Sequence, residues 1–268
     1  MHIVFWSCIP GHAAVTSSML SIACSCAATQ LYNTAILQTQ FKKNNLQYPF
    51  FKLADKENVE QYNSVGMDSL IRFAKGGTVT GGVETCAISF MDTKLNLFTQ
   101  STNKDGRAYY NGLLDALPLV TKCLDSTFDI SFIDTAAGND PLSIAAMKQA
   151  DVIVICLPQE EWIINYFFTK YNLNSSKVFY LFGNYDKASN RNLGTLRHDK
   201  RYKKILGEKN TAFISHDTDF ANALNTSDLI SFFLHGLHDK KNPNYEYFDS
   251  VDNATRKLLT FAGVVPRK

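Results

Sequence analysis

The stretch "FDISFIDTAAGND", residues 128 to 140, ends an apolar run in a carboxylate, Asp134, and follows it with Thr135, two alanines and Gly138. A carboxylate at the C-terminal end of a central strand is placed to hold a magnesium ion or its waters. A glycine just beyond it lets backbone approach a phosphate. The plain alternative is that Asp134 caps its own loop. A second stretch, "IVFWSCIPGHAAVTSSML", reads as a strand, a tight loop containing Gly11, and a helix opening with Thr16, Ser17 and Ser18. Such a loop cradles phosphate when its N–H groups and the positive end of the helix face the anion. A lysine normally completes the cradle, and Val15 stands in its place. Here the alternative is that Thr16 or Ser17 simply caps the helix. A third stretch, "VFYLFGNYDK", brings Gly183 and Asn184 to the end of a late strand, where an amide can read the edge of a purine base. Gly and Asn also favour ordinary turns. The pair His216–Asp217, with Cys8 and His12, admits a Cys–His site for some other small molecule, but Cys8 lies in an apolar run and reads as core.

These residues need a scaffold, and the chain supplies an alternation of strand-like and helix-like segments. Strands are expected at Ile3–Cys8, Thr34–Thr39, Cys86–Met91, Asn96–Thr99, Ile130–Ile133, Val152–Cys156, Val178–Phe182 and Ala212–Ile214. Helices are expected at Thr16–Leu31, Met67–Lys75, Gly106–Cys123, Pro141–Gln149, Glu160–Tyr171, Leu193–Leu206, Thr226–Leu237 and Asp252–Ala262. Several strand runs ("IVFW", "DVIVIC") are continuously apolar, which implies burial on both faces. The rhythm predicts an α/β domain: one doubly wound, mostly parallel sheet with helices on both sides. The 268 residues suit a single domain, 1–268, with 238–268 as an extension ending in the last helix. The segment "HDKKNPNYEYFDS" is expected to run over the surface.

Composition narrows the partners. The chain has 27 Lys and Arg against 25 Asp and Glu, a net charge of +2, which gives no argument for nucleic acid. The six cysteines lack metal-ligand spacing and read as buried thiols of a cytoplasmic protein. No apolar run reaches the ~20 residues a membrane span needs. The C-terminal "ATRKLLTFAGVVPRK" leaves two readings, a short basic amphipathic helix resting on lipid or a helix packed on the domain.

Taken together, the motifs resemble the ParA/MinD family, the deviant Walker A ATPases of the SIMIBI class with a P-loop NTPase fold. The likeness runs from His2 to about Leu237 and, within the family, looks most like the CpaE/TadZ-type proteins of pilus and secretion assembly. The family loop K-G-G-x-G-K-T-T falls on "PGHAAVTS", residues 10 to 17. The resemblance therefore implies phosphate contacts from Gly11, His12, Ala13, Ala14, Val15, Thr16, Ser17 and Gly138, a base contact from Asn184, and Mg²⁺ held by Thr16 and Asp134. It implies ATP or ADP as ligand, a homodimer and a protein partner in a pilus or secretion machine; the expected place is the cytoplasm, with the packed terminal helix favoured over peripheral contact with the inner face of the membrane. The departures are specific. Both family lysines are replaced, by Pro10 and Val15, two loop glycines by His12 and Ala14, and the switch carboxylates by Gln38 and Gln40. The expectation is a scaffold on an ATPase fold with an eroded site, in which hydrolysis of ATP, if any, is slow and Gln38 or Gln40 is left to orient water. The alternative is a working ATP-dependent dimerisation switch whose missing charge comes from elsewhere, from His12, Lys42, Lys43 or a partner.

Overall fold

The computed structural model describes residues 1–41, 46–51, 65–77, 82–171, 173, 176–237 and 239–264. Eight strands form one sheet: β1 (His2–Trp6), β2 (Thr34–Gln38), β3 (Ile88–Ser89), β4 (Leu95–Leu97), β5 (Ile130–Asp134), β6 (Val152–Leu157), β7 (Val178–Tyr185) and β8 (Thr211–Ser215). Their order is β3-β4-β2-β5-β1-β6-β7-β8. All pairings are parallel except β3–β4, an antiparallel edge. The nine helices of the described residues are α1 (Val15–Ala28), α2 (Met67–Lys75), α3 (Gly106–Thr127), α4 (Pro141–Gln149), α5 (Glu161–Lys170), α6 (Leu193–His198), α7 (Thr218–Thr226), α8 (Leu229–Gly236) and α9 (Tyr245–Phe261). This is the doubly wound α/β architecture expected.

β1 shows why its run is continuously apolar. Ile3 and Phe5 pack into the layer shared with α1, α8 and α9. Val4 and Trp6 pack into the opposite layer, with α2, α3, α4 and α5. Both sets are at most 1% exposed, so alternation disappears because neither face meets water. β1 lies between β5 and β6 at the centre of the sheet, where the order reverses, and its C-terminal end is where such folds place ligands.

Four expectations differ from the structure, each for a local reason. Cys86–Met91 is a 3₁₀ turn at Val83–Cys86 followed by the two-residue β3. Its partner β4 has only three residues to offer. The helix expected at Leu193–Leu206 stops at His198. There Asp199 is extended (ψ 127) and its carboxylate accepts from the Arg201 backbone N–H at 2.9 Å, a turn that competes with the helix. The helix expected at Thr226–Leu237 is α8 and begins later, at Leu229, because Ser227 adopts φ 60, and a further helix, α7, precedes it where none was expected. The last helix starts at Tyr245, not Asp252, and it is well packed: Val251, Ala254 and Leu258 are fully buried. Tyr247 Oη and Ser21 Oγ share a buried hydrogen bond of 2.8 Å between α9 and α1. Leu258 and Leu259 thus face the domain core, the packed reading of that helix. Residues 265–268, part of the basic terminal stretch, lie outside the described residues. Among the described residues no helix is long and apolar enough to cross a membrane.

His2 adds a pH dependence. It is buried in β1, and burial holds its pKa below the ordinary 6.5, offset in part by Asp125, whose Oδ2 lies 3.1 Å from Nε2. The folded chain therefore binds this proton less readily than the unfolded one. The His2 contribution is complete above pH 6.5 and is lost as pH falls below it. The thermal midpoint should fall from pH 7 to pH 5, and His2→Asn should flatten that slope.

Candidate functional site

The loop that joins β1 to α1 carries the site. Gly11 adopts φ 83 with open space around its Cα, so backbone conformation alone asks for glycine there. Ala14 then adopts φ 48, ψ 40, a left-handed conformation that ordinary residues avoid, and α1 begins at Val15. No side chain caps the helix. The Thr16 hydroxyl donates instead to Asp134 Oδ2 at 2.6 Å, and Ser17 Oγ donates to the Ala14 carbonyl at 3.1 Å. The helix-cap reading of Thr16 and Ser17 is thereby replaced. A left-handed alanine costs ~1 kcal/mol, so Ala14→Gly should stabilise the chain by up to about 1 kcal/mol, read as a rise of roughly 2–3 °C in thermal midpoint.

The carboxylate and its loop are held against this cradle. Asp134 ends β5, between β1 and β2, and is fully buried. The Gly138 N–H donates to the Ser7 carbonyl at 2.9 Å, and the indole of Trp6 donates to the Gly138 carbonyl at 2.9 Å. Gly138 itself takes φ 75. The loops after β1 and β5 are in this way bolted together. Together they open onto a cavity of about 790 Å³. Gly11, Ala13, Ala14, Val15, Thr16, Ser17, Gln40 and Asp134 line it, and Tyr48, Pro49, Leu224 and Asn225 roof it. Two hydrogen bonds hold the roof, Ser227 Oγ to the Tyr48 carbonyl at 2.7 Å and the Leu229 N–H to the Pro49 carbonyl at 3.3 Å.

The other expected residues are placed as follows. Gln40 lines the cavity and donates through Nε2 to the Thr135 carbonyl at 3.3 Å. Gln38 is buried on β2 beside Asp134, and its Nε2 donates to the Gln40 carbonyl at 3.1 Å. His12 is at the tip of the loop and turns out of the cavity: its Nδ1 lies 3.1 Å from Glu160 Oε1, and its ring meets Trp162 edge-on at 5.8 Å. The Trp162 indole donates to the other Glu160 oxygen at 3.0 Å. Nothing in the local sequence announced this clamp. Asn184 lies outside the main cavity, on a smaller one. Cys8 is buried, and burial pushes its thiol up to about 11, which keeps it protonated and inert as a nucleophile. Lys42 and Lys43 lie outside the described residues. Among the described lining residues Asp134 carries the one formal charge, and no cation faces it.

Comparison with protein-family models finds no match, and comparison with curated proteins finds none either. Comparison with solved structures finds many. The septum site-determining protein MinD of Pyrococcus horikoshii, complexed with Mg-ADP, superposes with a TM-score of 0.66 at 12% identity over 100% of both chains. A ParA family ATPase of Chlorobium tepidum gives 0.67 at 10% identity over 95% of this chain and 97% of that one. The MinC:MinD cell division complex of Aquifex aeolicus gives 0.61 at 12% identity over 100% and 99%. The chain has the α/β fold of the MinD and ParA P-loop ATPases.

Proposed function

We propose that this chain is a ParA/MinD-like protein that binds Mg-nucleotide weakly and hydrolyses it slowly or not at all, serving as a positioning scaffold. The observation that carries the reading is the Thr16–Asp134 pair beside a left-handed, uncapped loop, in a cavity whose described lining holds no cation. The backbone of the loop and the hydroxyl–carboxylate pair suit a phosphate and its Mg²⁺. Bound Mg²⁺ would neutralise phosphate charge there, with Thr16 and Asp134 as its protein side. The fit fails at the lysines. Each charge-assisted hydrogen bond is worth roughly 1.5–3 kcal/mol, so losing two weakens binding by ~10²–10⁴-fold. Gln38 is occupied within the β2 loop, which argues against it as a water-orienting group. Gln40, on the cavity wall, is the better placed of the two.

The nucleotide itself is suggested by the Mg-ADP of the Pyrococcus MinD structure, and a protein partner by the MinC:MinD complex. A homodimer and a place at a pilus or secretion machine follow from the resemblance of the loop and chain to CpaE/TadZ-type proteins. A second reading, an ATP-dependent dimerisation switch, is favoured by the uncapped N-terminus of α1, which keeps its anion-binding geometry.

Calorimetry with Mg-ATP and Mg-ADP, with Asp134→Ala as control, separates them. Dissociation constants near or above 100 µM, lost in Asp134→Ala and without turnover, support the scaffold. Micromolar binding with ATP-dependent dimerisation replaces it with the switch. No heat at millimolar nucleotide removes the ligand from the proposal and leaves the scaffold.

A further inference from the structure

The loop between β5 and α4, residues 135–140, runs along the cavity wall, where Thr135, Ala136 and Ala137 line it beside Asp134. A loop in this place reads the outermost phosphate of a nucleotide by having two arrangements, one of which turns a backbone N–H toward that phosphate. Gly138, at φ 75, is the residue the sequence offers for that contact. The structure commits it elsewhere. Its N–H donates to the Ser7 carbonyl and its own carbonyl accepts from the Trp6 indole, both at 2.9 Å. Gly138 is not among the residues that line the cavity.

The rest of the loop is fastened at the same time. The Thr135 N–H and hydroxyl both donate to the Phe5 carbonyl, at 3.2 and 2.8 Å. The Thr135 carbonyl accepts from Gln40 Nε2 at 3.3 Å, and the Ala136 carbonyl accepts from Ser143 Oγ at 2.9 Å. Asp140 closes the loop by capping α4 through the Ser143 N–H at 2.8 Å. The indole is the fixed point of this set. Trp6 is 1% exposed, and its ring packs against Phe167 and Tyr171 with centroids 6.3 and 5.1 Å away. If Gly138 turned toward a phosphate, the Trp6 N–H would stay buried without an acceptor, which is costly. A loop with one stable arrangement gives a ligand nothing to select.

We infer that the site takes nucleoside diphosphates and triphosphates alike, because the loop that would report the outermost phosphate is locked to β1. The inference rests on the nucleotide reading above. The cavity lining works in the same direction: among its described residues no cation gains from one more phosphate charge. What the two nucleotides share, the inner phosphates and their Mg²⁺, then sets the affinity. Residues 135–140 present the same surface whichever nucleotide is bound, and a partner docked there cannot tell one from the other.

The test compares Mg-ADP with the non-hydrolysable Mg-AMPPNP by ligand-observed NMR titration of the full chain at millimolar nucleotide. The expected dissociation constants agree within about threefold. AMPPNP bound more tightly than that overturns the inference and leaves the nucleotide reading in place. Binding of neither nucleotide overturns both. Hydrogen exchange across residues 135–140, read on the same samples, should be slow and the same with either nucleotide. A change with AMPPNP that ADP does not produce overturns the lock whatever the affinities. Trp6→Phe keeps an aromatic ring in place and removes the indole donor. In the folded variant a preference for AMPPNP should emerge, by about fivefold, and exchange across the loop should quicken. A folded Trp6→Phe with the ratio and the exchange of the unmodified chain overturns the indole as the lock.

Discussion

The Val15→Lys substitution raises affinity for Mg-ATP by roughly 10- to 100-fold. Val15 is the first residue of α1, directly after the left-handed Ala14, and it lines the cavity on the side of Thr16 and Asp134. The loop around it already has its shape, so the substitution adds a charge to a formed cradle and does not have to build one. A lysine ammonium there meets phosphate oxygens with charge-assisted hydrogen bonds worth roughly 1.5–3 kcal/mol, which is the stated range. Val15→Met controls for length, since it reaches as far without charge, and should gain nothing. The gain should also shrink as salt is raised, because the site is open on one side. Calorimetry at two salt concentrations reads both effects. If Val15→Lys binds no better than Val15→Met, position 15 does not face phosphate, and the scaffold loses its connection to nucleotide altogether.

That the experiment can be designed at all reflects how much of the site was legible. The β1 run and the "FID" run declare parallel strands because both of their faces are buried, and Asp134 declares itself by ending such a run in a charge. Their partners were not legible in the same way. Nothing about alanine advertises that Ala14 takes φ 48; the conformation is imposed by the loop it closes. His12 looks like a spare cation for the cavity until Glu160 and Trp162, about 150 residues later in the chain, are found beside it. The junction of α7 and α8 was missed for another reason. Asp217 is a helix-starting residue by type, but "TDFANALNT" is short and mostly polar, so only the apolar "LISFFL" that follows was expected to be helical, with its start set across Ser227. In each case tertiary contact decided between local options that the sequence left nearly equal.

Gly183 is the clearest instance, because it reads as a turn residue and does something else. It lies buried in β7 with a backbone any residue could adopt, so its reason is space. A Cβ there would stand 2.4 Å from Ser18 Oγ, 3.1 Å from the Ala14 Cβ and 3.4 Å from the Ala13 carbonyl. Ser18 is 2% exposed and has little room to turn away. At Gly183 the strand that carries Asn184 is therefore pressed close against the loop after β1 and the start of α1. Gly183→Val puts two further methyl groups into that contact. It should cost about 3 kcal/mol by overpacking, a drop in thermal midpoint of roughly 6–10 °C. Gly183→Ala should cost less and stay folded, and it gives the functional readout: the displaced Ala13–Ala14 backbone should no longer hold nucleotide in Val15→Lys, where binding is strong enough to measure. A Gly183→Ala, Val15→Lys double variant that binds Mg-ATP as well as Val15→Lys alone would show that the two loops are not coupled through this contact. A loss of ten-fold or more would make the spacing at Gly183 a condition of the loop's shape, and would explain how the end of β7 and the loop after β1 keep register without a single shared hydrogen bond among those described.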